Sequence, residues 1–239
     1  MVERACSLER FRKGTAEHQM EIVLDSGTHR HLRFSKPGTS CYSFNIVTWP
    51  GYLAISGDMG ASVFSRLPDM LEFFRADQKW QADNPDRLYI NTGYWAEKLV
   101  ANDGSAKVFA ADRLEVVLKE RFDDFMAEID LEEIHEGKEL ADMLWRHLTS
   151  QVRGEDVREV IEAGMEFEPE EYEGYGGAGD PGFEAFKSFR LADFWESASE
   201  LEEYSFHLVW RMYAIAHAVI AYDTHHAAAT SGSTVEMEA

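Results

Sequence analysis

The apolar positions of this chain change period once. Between residues 20 and 66 they alternate, and from Asp112 onward they recur every three or four residues. A period of two puts successive side chains on opposite faces of a strand, whereas a spacing of three and four stacks them on one face of a helix. In the first regime Tyr42, Phe44, Ile46 and Thr48 share one face, and Ser43, Asn45, Val47 and Trp49 the other, which predicts a strand over 42–49. Pro50-Gly51 follows. Proline presets φ and glycine tolerates positive φ, so the chain turns there and residues 52–56 return as the second arm of a hairpin. Gly57-Asp58-Met59-Gly60 reads as the next turn and 62–66 as a third short strand. Upstream, residues 20–24, the turn Asp25-Ser26-Gly27-Thr28 and a strand over 28–35 add two more. Connections this short favour hairpins over parallel crossovers.

Short helices accompany these strands. Leu8 and Phe11 anchor a helix or arm within 1–18. Pro68 stands in the first turn of a helix carrying Met70, Leu71, Phe73 and Phe74, where its missing N–H costs nothing. Residues 76–92 read as a polar loop carrying Trp80 and Tyr89, 93–101 as a short helix, Asn102-Asp103-Gly104 as a turn, and 107–110 as one more strand.

In the second regime Leu114, Val117, Leu118, Phe122, Phe125, Met126 and Ile129 form a helical stripe. Asp112 reads as its N-cap, with Glu115 three residues later. A second helix carries Ile134, Leu140, Met143, Leu144, Leu148 and Val152 and ends at Gly154. A third carries Val157, Val160 and Ile161. Residues 165–182, rich in Glu and Gly, read as a mobile loop. Phe183, Phe186 and Phe189 anchor the chain again. Residues 191–222 read as a last helix or helix pair with Phe206, Trp210, Tyr213, His217 and Ile220 on one face. The tail from Ala227 reads as disordered. The expected class is α+β: an N-terminal antiparallel β-sheet with short helices (1–110), then an acidic, mainly helical C-terminal lobe (111–226) and a tail (227–239).

Composition narrows the picture. Apolar residues make up 45% of the chain and aromatics 13%, which suits a folded globular protein rather than a disordered one. The longest apolar run, 212–222, is too short to cross a bilayer. The charged start, without an apolar core, predicts no signal peptide. Cys6 and Cys41 make neither a disulfide framework nor a CxxC zinc site, so a reducing cytosol fits best. Charge changes the picture most. The net charge is −21, and residues 1–120 hold 15 Lys and Arg against 16 Asp and Glu, while 121–239 hold 8 against 28. A lobe so acidic repels nucleic acid. The expected partner is a protein with a basic surface or a neutral small molecule, with no direct nucleic-acid binding by the acidic lobe and no membrane. The oligomeric state stays open.

Candidate chemistry is sparse. His29, His31 and Arg33 are two apart and share one strand face. With Asp58 and Arg66 they offer a ligand-binding cluster suited to an anion or a metal. The competing reading is a solvated sheet face on which Asp58 only shapes a turn. No spacing matches a metal-ligand or cofactor motif, so no metal and no cofactor is expected, and no catalytic residue is assigned. Glu132 and His135 form one Glu-x-x-His without the second that a dimetal bundle needs, and Glu203 with His207 has a different spacing. His217, alone on an aromatic face, reads as a core histidine. No Gly-x-Ser-x-Gly, P-loop or dinucleotide fingerprint is present, and Gly174-Tyr175-Gly176-Gly177 follows no strand.

Residues 123–173 hold 18 acids and 4 bases. Asp123, Asp124, Glu128, Glu132, Glu133, Glu136 and Glu139 are the partner-binding candidates. A surface dressed in carboxylates can compete with DNA for a basic groove. Its bland counterpart is a solubilising helix face.

Several short strings carry a resemblance: His31-Leu32-Arg33-Phe34, Pro37-Gly38-Thr39, Thr48-Trp49-Pro50-Gly51, Gly57-Asp58-Met59-Gly60, Phe64-Ser65-Arg66, Asp69-Met70-Leu71-Glu72-Phe73-Phe74-Arg75 and Gly93-Tyr94-Trp95-Ala96-Glu97-Lys98. Over roughly residues 20–100 the chain resembles a family of uncharacterised phage- and prophage-encoded proteins. The resemblance implies a phage or prophage source and the host bacterial cytoplasm as the working place. That family has no established activity and brings no catalytic residues. The expected function is a phage-encoded binding protein that inhibits a host defence or DNA-processing protein through acidic DNA mimicry. Two alternatives stand beside it: a small-molecule or nucleotide binder or enzyme using the His/Arg/Asp sheet face, and a phage structural or assembly protein.

Overall fold

A computed structural model describes residues 6–132, 134, 136–169 and 181–235. In chain order the elements are α1 (Leu8–Thr15), β1 (Gln19–Ser26), β2 (His29–Ser35), β3 (Phe44–Trp49), β4 (Tyr52–Gly57), β5 (Gly60–Ser65), α2 (Met70–Phe74), α3 (Gln78–Asp83), α4 (Thr92–Ala96), β6 (Leu99–Asn102) and β7 (Lys107–Phe109). There follow α5 (Ala111–Met126), α6 (Gly137–Gln151), α7 (Val157–Met165), α8 (Pro181–Lys187), a 3-10 turn (Phe194–Ser199), β8 (Glu202–Tyr204) and α9 (Phe206–Val235). The class is α+β, with a six-stranded antiparallel sheet in the N-terminal part and a mainly helical C-terminal region.

Two compact units divide the chain: residues 1–106 with 204–239, and residues 107–203. The first is built on the sheet, whose strands lie in sequence order, each antiparallel to the last. Alternation sorts its faces. Leu32, Phe34, Phe44, Ile46, Thr48, Leu53, Ile55, Ser62 and Phe64 are buried on one side. Across that inner face lies α9, touching β3 and β5, with α1 and α2 against its other sides. Between Leu208 and Val219 it buries Leu208, Val209, Trp210, Met212, Ala214, Ile215, Ala216, Ala218 and Val219. A helix apolar around its circumference needs neighbours on several sides, and the sheet with two helices supplies them.

This placement differs from the expected boundary at 110/111, with everything from 111 to 226 in one lobe. The last helix returns to the sheet. The segment 204–222 contains no Asp or Glu, so its composition already sides with the near-neutral half. The helix also continues through Val235, past the start of the expected tail, and residues 236–239 lie outside the described residues.

Other departures are local. The sixth strand is β6, within a stretch expected to be helical, and β5 gains in it a partner for an edge that would otherwise leave its N–H and C=O groups unpaired. Strand β7 exists as expected, but it pairs with β8 in a two-stranded ribbon. Tyr42 adopts a left-handed conformation (φ 56°) and stands in a turn before β3. Residues 191–203 form the 3-10 turn and β8, not helix α9.

The second unit packs α5 to α8 and the 3-10 turn around Leu118, Leu140, Leu144, Leu148, Val160, Phe186, Phe189 and Phe194. Helix α5 begins two residues earlier than expected, so Asp112 lies in its first turn rather than capping it, where its charge still complements the helix dipole. Helix α7 approaches the 3-10 turn closely at Gly164. A Cβ there would sit 2.2 Å from the Phe194 ring. No helix among the described residues is long and apolar enough to cross a membrane.

Candidate functional site

The structure separates the residues of the expected sheet cluster. His29, His31 and Arg33 do share the outer face of β2. His31 Nε2 hydrogen-bonds with Asn45 Oδ1 on β3 at 3.1 Å, and Arg33 lies 3.5 Å from Glu21 on β1, both of them exposed. Asp58 and Arg66 stand at opposite ends of β5, a strand of six residues. At about 3.3 Å per residue they are roughly 20 Å apart. Asp58 accepts a hydrogen bond from the Tyr42 N–H at 2.8 Å, and its own N–H donates to the Ser43 carbonyl at 3.0 Å. It locks the loop before β3 onto the β4–β5 turn. Arg66 is exposed beyond the other end. The cluster is therefore three separate pieces: the β2 face, Asp58 and Arg66. Among the described residues no group of His, Cys, Asp and Glu has the geometry of a metal site.

Polar networks that the sequence pattern had not singled out lie on the inner side. Arg30, in phase with Leu32 and Phe34, forms a bidentate pair with Asp69 at 3.0 and 2.8 Å, and its Nε donates to the Tyr222 hydroxyl at 3.2 Å. Tyr222 donates onward to Asp25 at 2.9 Å, which also lies 3.0 Å from His226 Nε2. Burial works against the Arg30 charge, but the hydrogen bonds to Asp69 and Tyr222 outweigh it and raise its pKa. Burial likewise opposes ionisation of Asp69. The Arg30 hydrogen bond, the Leu71 N–H and the charges of Arg30 and Arg75 prevail and hold its carboxyl below the usual range. Arg75 pairs with Asp223 at 2.7 and 2.8 Å, and this hydrogen bonding raises its pKa.

A second network surrounds Arg211, which is 1% exposed. Its guanidinium pairs with Asp103, donates to the Ala61 carbonyl at 3.0 Å and reaches Asn102 Oδ1 at 3.0 Å. Burial would push the Asp103 pKa up, yet the Arg211 hydrogen bond and the Ala61 N–H bring it down. Gly60 (φ 83°) leaves room for this: a Cβ there would lie 2.1 Å from Asp103 Oδ2. Both networks neutralise their charges internally and fasten α9 to the sheet, with the buried Arg211 Nε left without a hydrogen-bond partner among the described residues. They are braces rather than reactive centres. The readable signal for each was a charge on an apolar face: Arg30 on the inner phase of β2, and Arg211 as the one charged residue of 204–222.

The acidic residues behave differently. Residues 107–203 hold 28 Asp and Glu against 10 Lys and Arg, and the remaining residues hold 16 against 13. Nearly all the net charge therefore belongs to one unit. Asp123 and Asp124 are exposed at the C-terminal end of α5, Glu128 and Glu132 in the connection, and Glu136 and Glu139 at the start of α6. Glu133 and His135 lie outside the described residues. Asp123 pairs with Lys119 one turn back. That lysine belongs to a groove of about 420 Å³ lined by Asp112, Glu115, Val116, Glu120, Asp123 and Trp145. Four exposed carboxylates of α5, Asp112, Glu115, Glu120 and Asp123, line this groove. They span about 16 Å at 1.5 Å per residue. That density is of the same order as one DNA strand, with a phosphate each 3.4 Å or so of axis. Val116, at 56% exposure, and Trp145 give the groove an apolar floor.

No family model, no curated protein and no solved structure matches this chain.

Proposed function

We propose that this chain is a phage-encoded binding protein whose acidic unit, residues 107–203, docks on the basic groove of a host defence or DNA-processing protein and blocks its access to DNA. The observation that carries this reading is the partition of charge. The sheet unit is close to neutral and neutralises its buried cations internally, whereas the helical unit holds 18 more carboxylates than cations. So large an excess cannot be satisfied within the unit, and among the described residues its carboxylates lie mostly on exposed faces, where a cationic partner would release their mutual repulsion. The α5 groove supports the reading further, because it joins an acidic rim to Trp145, the kind of aromatic anchor that protein interfaces favour. The work takes place in the host bacterial cytoplasm.

The test is affinity capture from nuclease-treated bacterial lysate with the tagged full chain at low and high salt. The parallel bait is the quadruple variant Asp112→Asn, Glu115→Gln, Glu120→Gln, Asp123→Asn. The expected result is a stoichiometric DNA-binding protein that is lost at high salt, displaced by duplex DNA and absent from the variant. A partner that the variant retains, or that DNA does not displace, overturns the proposal.

A further inference from the structure

The sheet unit carries a second kind of surface. Between α1, α3 with the segment after it, and the N-terminal third of α9 lies a cleft of about 1000 Å³. Arg12 and Lys13 project into it from the last turn of α1, and Arg87 from the opposite wall. None of the three has a carboxylate partner among the described residues. In a chain with 44 acids and 23 bases, this cleft gathers three cations, Arg12, Lys13 and Arg87, against two carboxylates, Glu9 and Asp86. The same walls present Trp80, Tyr89 and Tyr213. Trp80 and Tyr89 meet edge to face (centroids 5.2 Å apart, planes at 70°), so their contact covers a face of only one of the two rings.

We infer that this cleft binds a free nucleotide, with the base against Trp80 and Tyr89 and the phosphates at Arg12, Lys13 and Arg87. Each part of the ligand answers one part of the wall. Aromatic rings stack a flat heterocycle of any sequence, and guanidinium and ammonium groups hold phosphate oxygens. Glu9 and Asp86, the two carboxylates of the lining, can only accept hydrogen bonds, which suits sugar hydroxyls or an exocyclic amine. The volume suits a mononucleotide and lies within the range of small-molecule sites. A nucleic-acid strand is disfavoured, because a chain of net charge −21 repels an extended polyanion far more than a small one. The site is separate from the α5 groove, and its existence does not depend on the proposed protein partner.

The experiment is a titration of the full chain followed by tryptophan fluorescence and calorimetry. The ligands are ATP, GTP, CTP and UTP, with adenosine, inorganic pyrophosphate and a ten-nucleotide oligo-dT as comparisons. At least one nucleotide should bind about tenfold or more tighter than adenosine and pyrophosphate, since it alone engages both halves of the cleft. Trp80→Leu should weaken it about fivefold or more, and Arg12→Gln combined with Arg87→Gln about tenfold or more. The arginine variant alters only surface charge, so it separates lost binding from lost folding, with circular dichroism as the check. Three results overturn the inference: no nucleotide binding at about 1 mM, pyrophosphate binding as tightly as the nucleotide, or affinity unchanged in the arginine variant.

Discussion

The two units of this protein use charge in opposite ways. In the sheet unit the buried Arg211, the half-buried Arg30 and the exposed Arg75 each meet a carboxylate, two of the pairs being bidentate, and together with Tyr222 they tie α9 to β2, β5, β6 and α2. In the helical unit the ion pairs Lys119–Asp123 and Arg158–Glu162 are one-turn pairs on exposed helix faces, and Lys107–Glu202 and Arg190–Glu168 join partly or fully exposed groups. Such pairs contribute only a few tenths of a kcal/mol. Charge in the first unit is therefore part of the fold, and charge in the second is a property of its surface. The contrast teaches where each unit is sensitive. Removing a charge should unsettle the sheet unit and leave the helical unit folded, whereas changing a shape in the core should unsettle either.

The largest expected effect tests the first half of that contrast. Asp103→Ala leaves Arg211 buried with neutral acceptors only and should cost about 3 kcal/mol, the low end for breaking a buried pair because Asp103 is itself half exposed. Chemical denaturation followed by tryptophan fluorescence measures it. A change below about 0.5 kcal/mol, the scale of an ordinary surface substitution, would erase the distinction between the units. The next effect is steric and belongs to the helical unit. Gly164→Leu drives a side chain into Phe194 and should cost about 1–3 kcal/mol. Hydrogen exchange should show the loss confined to 107–203, and equal loosening of the sheet strands would mean that the units do not respond separately.

The smallest effect is a pH slope in the sheet unit. His217 is half-buried beside Phe11 and Phe34. Burial first, then the charges of His18 and Arg12, lower its pKa from the ordinary value near 6.5. The unfolded chain therefore binds the proton more readily than the native one. Stability should be complete above about pH 6.5 and should decline as pH falls below it toward the lowered native value. Denaturation midpoints at pH 7.5 and 5.5, compared with those of His217→Phe, read this out. An identical decline in the variant would assign it to other groups.

Much of this was legible in the chain. The alternation of 42–49 and the Pro50-Gly51 turn announced β3 and β4, and the stripe from Leu114 to Met126 announced α5, because local periodicity records which face is buried. The acidic character of 107–203 is a count of residues and needed no structure. The partner of the last helix was not legible from its own pattern, since a helix apolar on all sides does not say what surrounds it. The acid-free run 204–222 was the available hint. The expected ligand cluster failed for a related reason. Two-residue spacing correctly put His29, His31 and Arg33 on one face, but nothing in it states that Asp58 and Arg66 end up at opposite ends of one strand.

By itself, then, the sequence determined most of the element types, the antiparallel sheet and the location of the negative charge, all of which follow from short-range spacing and composition. The tertiary structure alone decided that α9 completes the sheet's core, that Arg30, Asp69 and Tyr222 meet, that Asp103 and Arg211 meet across 108 residues, and that Arg12, Arg87 and Trp80 face one cleft. These are encounters between residues far apart in the chain. They are selected by the joint burial of many side chains, which no local window contains.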